Sequence, residues 1–137
     1  MATFPGGHVN YKRDFTILAD EPLELLGDNT APNPQELLMA ALNACLTVGY
    51  IVNTSIRNVE IYKFEIETTG KLDIRGFLGI DRNINHGYDE VQYIVCISSN
   101  GSNDQIEEIH QAVLKTSPNY ANFFRSIHMN GKIEINR

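Results

Sequence analysis

Two cysteines are the residues of this sequence best suited to redox or nucleophilic chemistry. Cys45 and Cys96 stand far apart, form no CxxC pair, and share no metal-ligand spacing with a histidine. A cysteine thiolate can attack an electrophilic oxygen and become a sulfenic acid. Unpaired thiols are typical of a reducing compartment, so we expect a cytoplasmic protein with both cysteines free.

The histidines and the sequence motifs do not indicate metal or cofactor chemistry. The chain contains His8, His86, His110 and His128. Their spacing does not match a zinc or iron site, and His110 is expected on the solvated face of a helix. The sequence has no glycine-rich phosphate loop, nucleophile elbow or HExxH motif. We therefore expect neither a metal nor a cofactor.

The composition predicts one ordinary globular domain over residues 1–137. Apolar residues make up 42% and charged residues 20% of the chain, as in typical folded proteins. The net charge is -6 and no segment concentrates Lys and Arg, which argues against nucleic acid or an anionic membrane as partner. The N-terminal residues lack the apolar core of a signal peptide. The most apolar segment, residues 37–52, is shorter than the about 20 residues of a transmembrane helix.

A long helix is predicted around Cys45. Asn33 suits the N-cap, Pro34 the first helical position, and Glu36 the third, where a carboxylate can complete a capping box. The apolar pattern continues the helix to about Ile56.

Apolar and small residues cover the whole circumference of this helix. They are Leu37, Leu38, Ala40, Ala41, Leu42, Ala44, Cys45, Leu46, Val48, Gly49, Ile51 and Val52. A helix that is apolar all round must be buried all round. One chain with few other helices can hardly surround it, so we expect a sheet on one side and a second subunit on the other. The pattern therefore predicts a homodimer.

The remaining elements predict an α+β domain. The apolar pattern predicts strands over residues 11–19, 59–69, 71–80, 90–98 and 132–136. Helices are predicted over residues 104–115 and 119–126, on either side of the breaker Ser117-Pro118. Residues 20–32 and 81–89 are rich in turn formers and are predicted to be loops.

Two interpretations of Cys45 follow from its helical neighbours. Ala41 and Gly49, one turn away on either side, are small. They either leave space over a reactive sulfur or let another element pack closely against a structural cysteine. The structural interpretation is the more common one, because free cysteines are often simply buried. Cys45 also lies too far inside the helix to gain from its dipole, so a thiolate there needs a cation from elsewhere.

Four segments of the sequence resemble the OsmC/Ohr superfamily. The helical segment APNPQELLMAALNACLTVGY, residues 31–50, has the Asn-Pro start, the alanine-rich turn and the cysteine of that family. The others are DEPLELLGDNTAPNP at 20–34, GKLDIRGFLGIDRNINHGY at 70–88 and KTSPNYANFF at 115–124. The resemblance implies an OsmC-like fold, with a long buried central helix packed on an antiparallel sheet in an intertwined homodimer.

The same resemblance implies a thiol-dependent peroxidase that reduces organic hydroperoxides or hydrogen peroxide in oxidative stress defence. Cys45 matches the peroxidatic cysteine, whose thiolate takes an oxygen from the peroxide and becomes a sulfenic acid. An apolar pocket lined by Leu38, Leu42 and Val48 would favour organic hydroperoxides. The implied partners are a second copy of the chain, a small hydroperoxide and an external thiol reductant.

One departure from the family pattern concerns the resolving cysteine. Two-cysteine members carry this residue before a proline, and here the matching residue is Ser117. Since serine cannot form a disulfide, an external thiol must reduce the sulfenic acid, or Cys96 must do so. Cys96 is expected instead to pack in the core from a strand, because bridging demands close spacing.

A second departure concerns the charged partners of the cysteine. Organic-hydroperoxide members pair a glutamate with an arginine, and the matching residue here is Gln35, with a carboxylate next to it at Glu36. Arg75 is the preferred activating cation because Gly76 and Gly79 permit close approach to a site. Arg13 on the first strand is the alternative, and Arg82 is expected in an exposed loop. The candidate catalytic residues are Cys45, Arg75 and Glu36.

These departures leave a second class of function open. A dimer that kept the fold and lost turnover would bind a ligand without catalysis. A single-use redox sensor would consume one equivalent of peroxide per chain.

Overall fold

The computed structural model describes residues 14–135 as a mixed helical and antiparallel β-sheet structure. The 3-10 turn Leu23–Leu25 is followed by α1 (Pro34–Ile56), β1 (Ile61–Gly70), α2 (Ile74–Phe77), β2 (Val91–Ser99), α3 (Asn103–Thr116) and α4 (Pro118–Phe124). Two compact units are distinguished, one ending at Pro34 and one beginning at Gln35. The predicted α+β class is confirmed, and the single domain over residues 1–137 stays a prediction.

The described part of the first unit is an ordered loop organised by Asp20. The Asp20 carboxylate accepts hydrogen bonds from the backbone N–H of Thr30 at 2.9 Å, from the Thr30 hydroxyl at 2.7 Å and from the backbone N–H of Glu21 at 2.8 Å. These bonds, led by the backbone bond from Thr30, lower the pKa of Asp20 to about 2. The predicted strand 11–19 is wrong over residues 14–19, which have no regular structure, and residues 11–13 lie outside the described part.

Helix α1 begins and ends where the sequence predicts. Its buried side chains are Leu42, Leu46, Tyr50 and Thr54, which follow one another every four residues and therefore form one face. The opposite face is exposed, so the prediction of burial all round does not hold within one chain. By length and composition alone α1 could also cross a bilayer, a property that it shares with core helices of soluble proteins.

The sheet consists of the antiparallel pair β1 and β2, in which Ile66 pairs with Val95. The two strands lie within two residues of the predicted bounds. Their side chains alternate between a half-buried and an exposed face, as a one-sided sheet requires. The half-buried side chains packed against the core are Phe64, Ile66, Tyr93, Val95 and Ile97.

Helices α3 and α4 complete the core and are both capped by serines. The Ser102 side chain accepts from the backbone N–H of Gln105, and the Gln105 side chain bonds back to Ser102, which is a full capping box. Ile109 and Val113 of α3 are fully buried beside α1 residues in one cluster. Ser117 ends α3 and caps α4. Both predicted helices are confirmed, with ends that differ by up to two residues.

Two further predicted strands are wrong. Residues 71–80 contain the short helix α2, because the Asp73 side chain accepts a hydrogen bond from the backbone N–H of Arg75 at 2.9 Å and caps a helical turn. Residues 132–135 have no regular structure, and residue 136 lies outside the described part of the chain.

Candidate active site around Cys45

Cys45 lies in the middle of α1, at the edge between its buried and exposed faces. The side chain is half-buried, whereas the next residue, Leu46, is 0% exposed and anchors the core. The preceding residue, Ala44, is exposed. The Cys45 side chain therefore lies next to the packed core and is partly exposed at the surface of the single chain.

The hydrogen-bond partner of the Cys45 thiol is Ser117. The Cys45 Sγ and Ser117 Oγ atoms are 3.3 Å apart. Ser117 is only 5% exposed and stands at the junction of α3 and α4, where its Oγ accepts the backbone N–H of Tyr120 at 3.3 Å. The residue that the family pattern matches to a resolving cysteine thus lies in direct contact with Cys45.

Two contacts hold α1 against α3 and α4 on either side of Cys45. The Asn119 amide donates to the Ala41 carbonyl at 2.8 Å. Gly49 faces Val113 so closely that an added Cβ would lie 2.9 Å from a Val113 methyl carbon, so a larger residue at position 49 would push the helices apart. Val113 therefore occupies the space at Gly49, as the packing interpretation of this glycine expects.

Arg75 does not lie at the Cys45 thiol in this chain. Its guanidinium forms a two-pronged pair with Asp73, with Nη2 to Oδ2 at 2.6 Å and Nε to Oδ1 at 3.0 Å. This pair lowers the pKa of Asp73 to about 2 and raises the pKa of Arg75. Arg82 is exposed, as predicted, and Arg13 lies outside the described residues. The activation of Cys45 by Arg75 stays a prediction.

Gln35 and Glu36 lie in the first turn of α1, more than two turns before Cys45. Both are exposed. Gln35 lines an open groove of about 700 Å³. The other residues that line the groove include Leu38, Tyr88, Tyr93, Tyr120, Phe123 and Phe124. The catalytic role predicted for Glu36 stays a prediction.

Cys96 lies on the exposed face of β2, opposite Glu65. The prediction that it packs in the core is wrong, because the core-facing positions of this strand are Tyr93, Val95 and Ile97. A shift of one residue in the alternation of a strand moves a side chain to the other face. Both cysteines are free thiols.

A buried tyrosine–histidine pair is a feature that the sequence pattern did not reveal. The Tyr50 hydroxyl is hydrogen-bonded to Nδ1 of His110. His110 is half-buried, so the prediction that it lies on the solvated face of its helix is wrong. Burial, followed by the proximity of Tyr93 and Glu107, raises the pKa of Tyr50 to about 12. The sequence signal for this position is that His110 directly follows Ile109, a core residue of α3. Within residues 14–135, no group of His, Cys, Asp and Glu is arranged to hold a metal ion.

The OsmC-like protein family model matches residues 27–132. The chain belongs to this family. The match includes the Cys45 helix, both strands and the Ser117 junction of this OsmC-like chain. Among curated protein sequences none matches significantly.

Solved structures share the fold of this OsmC-like chain. An OsmC-like protein from Mycoplasma pneumoniae superposes with a TM-score of 0.65 at 19% identity, covering 77% of this chain and 70% of its own. An OsmC-like protein of unknown function from Vibrio cholerae gives 0.57 at 16% identity, with coverages of 77% and 70%. The organic hydroperoxide resistance protein OsmC from Legionella pneumophila, also described as a predicted redox protein, gives 0.53 at 18% identity, with coverages of 78% and 72%. These likenesses establish the fold.

Proposed function

We propose that this OsmC-like protein is a thiol-dependent peroxidase that reduces hydroperoxides through Cys45 in oxidative stress defence. The observation that carries the proposal is the half-buried Cys45 thiol, rooted in the core helix and hydrogen-bonded to Ser117 at 3.3 Å. The structural neighbour from Legionella pneumophila that is described as an organic hydroperoxide resistance protein supports the same chemistry.

The reaction begins when the Cys45 thiolate attacks one oxygen of the hydroperoxide. A sulfur–oxygen bond forms, the oxygen–oxygen bond breaks, and the sulfur gives up two electrons. The departing alkoxide takes a proton from water and leaves as an alcohol, while Cys45 remains as a sulfenic acid. One external thiol then forms a mixed disulfide with release of water, and a second thiol releases the reduced Cys45.

Apolar residues exposed on the Cys45 side of α1 favour organic hydroperoxides over hydrogen peroxide. Leu38 and Val52, which lie about two turns before and after Cys45 on α1, expose 42% and 49% of their surface. Apolar side chains of this kind bind the hydrocarbon part of an organic hydroperoxide and contribute nothing to hydrogen peroxide binding. We expect cumene hydroperoxide to react faster than hydrogen peroxide at equal concentration.

An external thiol completes the proposed cycle because the residue in contact with Cys45 is a serine. A hydroxyl cannot condense with a sulfenic acid to form a disulfide, and Cys96 lies exposed on a strand. Small dithiols and thiol proteins are available in the cytoplasm, where we place this protein.

A second copy of the chain is the proposed cover of the exposed face of α1. Val48 is 61% exposed, Ile51 53% and Ile56 71%, and a row of exposed apolar residues on one helix marks an interaction surface. We expect a dimer in sedimentation experiments, and a monomer for the double variant Val48→Glu with Ile51→Glu. Thr116→Glu, an exposed substitution on α3, should stay dimeric; a monomeric wild-type protein would contradict the proposal.

The cation that the proposal requires is assigned to Arg75, with Glu36 as its orienting carboxylate in the dimer. Arg75→Ala should then lower the rate of hydroperoxide reduction, whereas Arg82→Ala, an exposed loop substitution, should not. Equal rates in the two variants would remove Arg75 from the mechanism.

Steady-state assays with cumene hydroperoxide and dithiothreitol test the proposed activity. If the protein is a peroxidase, each chain should produce many equivalents of alcohol. Consumption of one equivalent per chain and no more would support a redox sensor. Absence of any reaction would support a non-catalytic binding protein, for which the open groove beside α4 offers a ligand site of about 700 Å³.

A further inference from the structure

The Ser117 hydroxyl has two partners, the backbone N–H of Tyr120 and the Cys45 thiol. A serine hydroxyl offers one hydrogen and two acceptor lone pairs. Its oxygen already accepts the backbone N–H of Tyr120 at 3.3 Å, as the N-cap of α4. Its second partner is Cys45 Sγ at 3.3 Å. A thiolate carries no hydrogen, so when Cys45 is ionised the Ser117 hydroxyl is the donor in this pair.

We propose that Ser117 is a catalytic residue that donates a hydrogen bond to the Cys45 thiolate and thereby increases its reactivity at neutral pH. The inference rests on the proposed function of Cys45 as the reactive thiol. It assigns to Ser117 a role that serine can fill with its single hydrogen, and that alanine or glycine cannot.

Burial makes this hydrogen bond effective. Ser117 is 5% exposed, so water competes weakly for its hydrogen. A hydrogen bond to an ionised group in such a site favours the charged form over the neutral form. The donor is also held in place, because its backbone ends α3 and begins α4. A fixed donor needs no reorganisation when the thiolate forms.

A matched control is present in the same chain. Ser102 caps α3 in the way that Ser117 caps α4, and its Oγ also accepts a backbone N–H at 3.3 Å. Ser102 is exposed, and the hydrogen bonds of its side chain and backbone N–H join it to Gln105. Ser102→Ala therefore removes the same kind of helix cap and leaves the surroundings of Cys45 unchanged.

The test is the rate at which iodoacetamide alkylates Cys45, measured by mass spectrometry from pH 5 to 9 in a Cys96→Ser background. Iodoacetamide reacts with the thiolate. We expect Ser117→Ala to alkylate about tenfold more slowly at pH 7. Ser117→Thr, which keeps the hydroxyl, should restore the wild-type profile, and Ser102→Ala should follow it.

Ser117→Gly serves as a second variant if the alanine form fails to fold, since glycine at an N-cap costs only a few tenths of a kcal/mol relative to serine. A wild-type profile in Ser117→Ala or Ser117→Gly, or an equal shift in Ser102→Ala, would overturn the inference. The assay needs no peroxide, so its outcome is separate from that of the proposed activity. An alkylation profile that depends on the Ser117 hydroxyl, in a protein that shows no peroxide turnover, would contradict the proposed peroxidase activity. The same result would still support the hydrogen bond from Ser117 to Cys45.

Discussion

The two cysteines of this chain stand in contrasting surroundings. Cys45 is half-buried on a core helix, next to the fully buried Leu46 and within 3.3 Å of the Ser117 hydroxyl. Cys96 is exposed on the outer face of a two-stranded sheet, beside Ile94 and opposite Glu65. Exposure alone would favour Cys96 as the reactive thiol. The contact with the Ser117 hydroxyl favours Cys45, because the neighbours of a cysteine, and not its exposure alone, set its reactivity.

The largest expected effect comes from replacing each of the two cysteines with serine in turn. Cys45→Ser should lower the turnover of cumene hydroperoxide by about a hundredfold or more, because it removes the nucleophile. Cys96→Ser should leave turnover unchanged. The measurement is steady-state peroxide consumption with dithiothreitol, and a loss of activity in Cys96→Ser instead would reverse the comparison.

A second thiol placed at the Ser117 position sharpens the contrast further. In Ser117→Cys, the distance of 3.3 Å between the two side-chain atoms requires only a small rotation to reach the about 2.05 Å of a disulfide. We expect one equivalent of peroxide to convert this variant to an intrachain 45–117 disulfide, seen as a loss of two hydrogens in the intact mass. A bridge to Cys96 instead, or no bridge, would show that the contact does not form in solution.

The apolar neighbours of the two cysteines should respond differently to truncation. Leu46→Ala should lower the free energy of unfolding by about 3 kcal/mol, because it leaves a cavity in the packed core. Ile94→Ala, on the 62% exposed neighbour of Cys96, should change it by less than about 0.5 kcal/mol. Urea denaturation compares the two, and equal losses would mean that the outer face of the sheet is also covered.

The smallest effect concerns the Tyr50–His110 pair on the buried side of α1. Burial raises the pKa of Tyr50 from 10.0 to about 12, so the unfolded chain loses this proton at lower pH than the folded chain. The part of the folding stability that depends on the Tyr50 proton is therefore fully present below pH 10 and is lost as the pH rises towards 12. Tyr50→Phe should show a shallower fall over this range in urea denaturation. An unchanged slope would mean that Tyr50 does not keep its proton.

The sequence predicted the Cys45 helix closely because several signals agree there. Pro34 at the first position and an apolar pattern that continues to Ile56 define its two ends. Strand β2 also follows from its apolar run, although the alternation that exposes Cys96 does not, since a shift of one residue reverses the faces. The Ser117 contact with Cys45 needed the folded chain, because it joins residues far apart in sequence.

The failed strand predictions have physical reasons. Residues 71–80 contain enough apolar residues for a strand, but the Asp73 side chain caps a helical turn by a local bond to the Arg75 N–H. The first and last predicted strands contain Phe15, Ile17, Ile133 and Ile135, and all four side chains are highly exposed. A strand needs a hydrogen-bonding partner as well as a pattern, and a single sequence does not specify one.

The most direct test of the central claim is to find which sulfur a hydroperoxide oxidises. The reduced wild-type protein is treated with one equivalent of cumene hydroperoxide in the presence of dimedone, which traps sulfenic acids, and the modified peptides are identified by mass spectrometry. We expect dimedone on Cys45 and an unmodified Cys96. Dimedone on Cys96 with an unmodified Cys45 would contradict it.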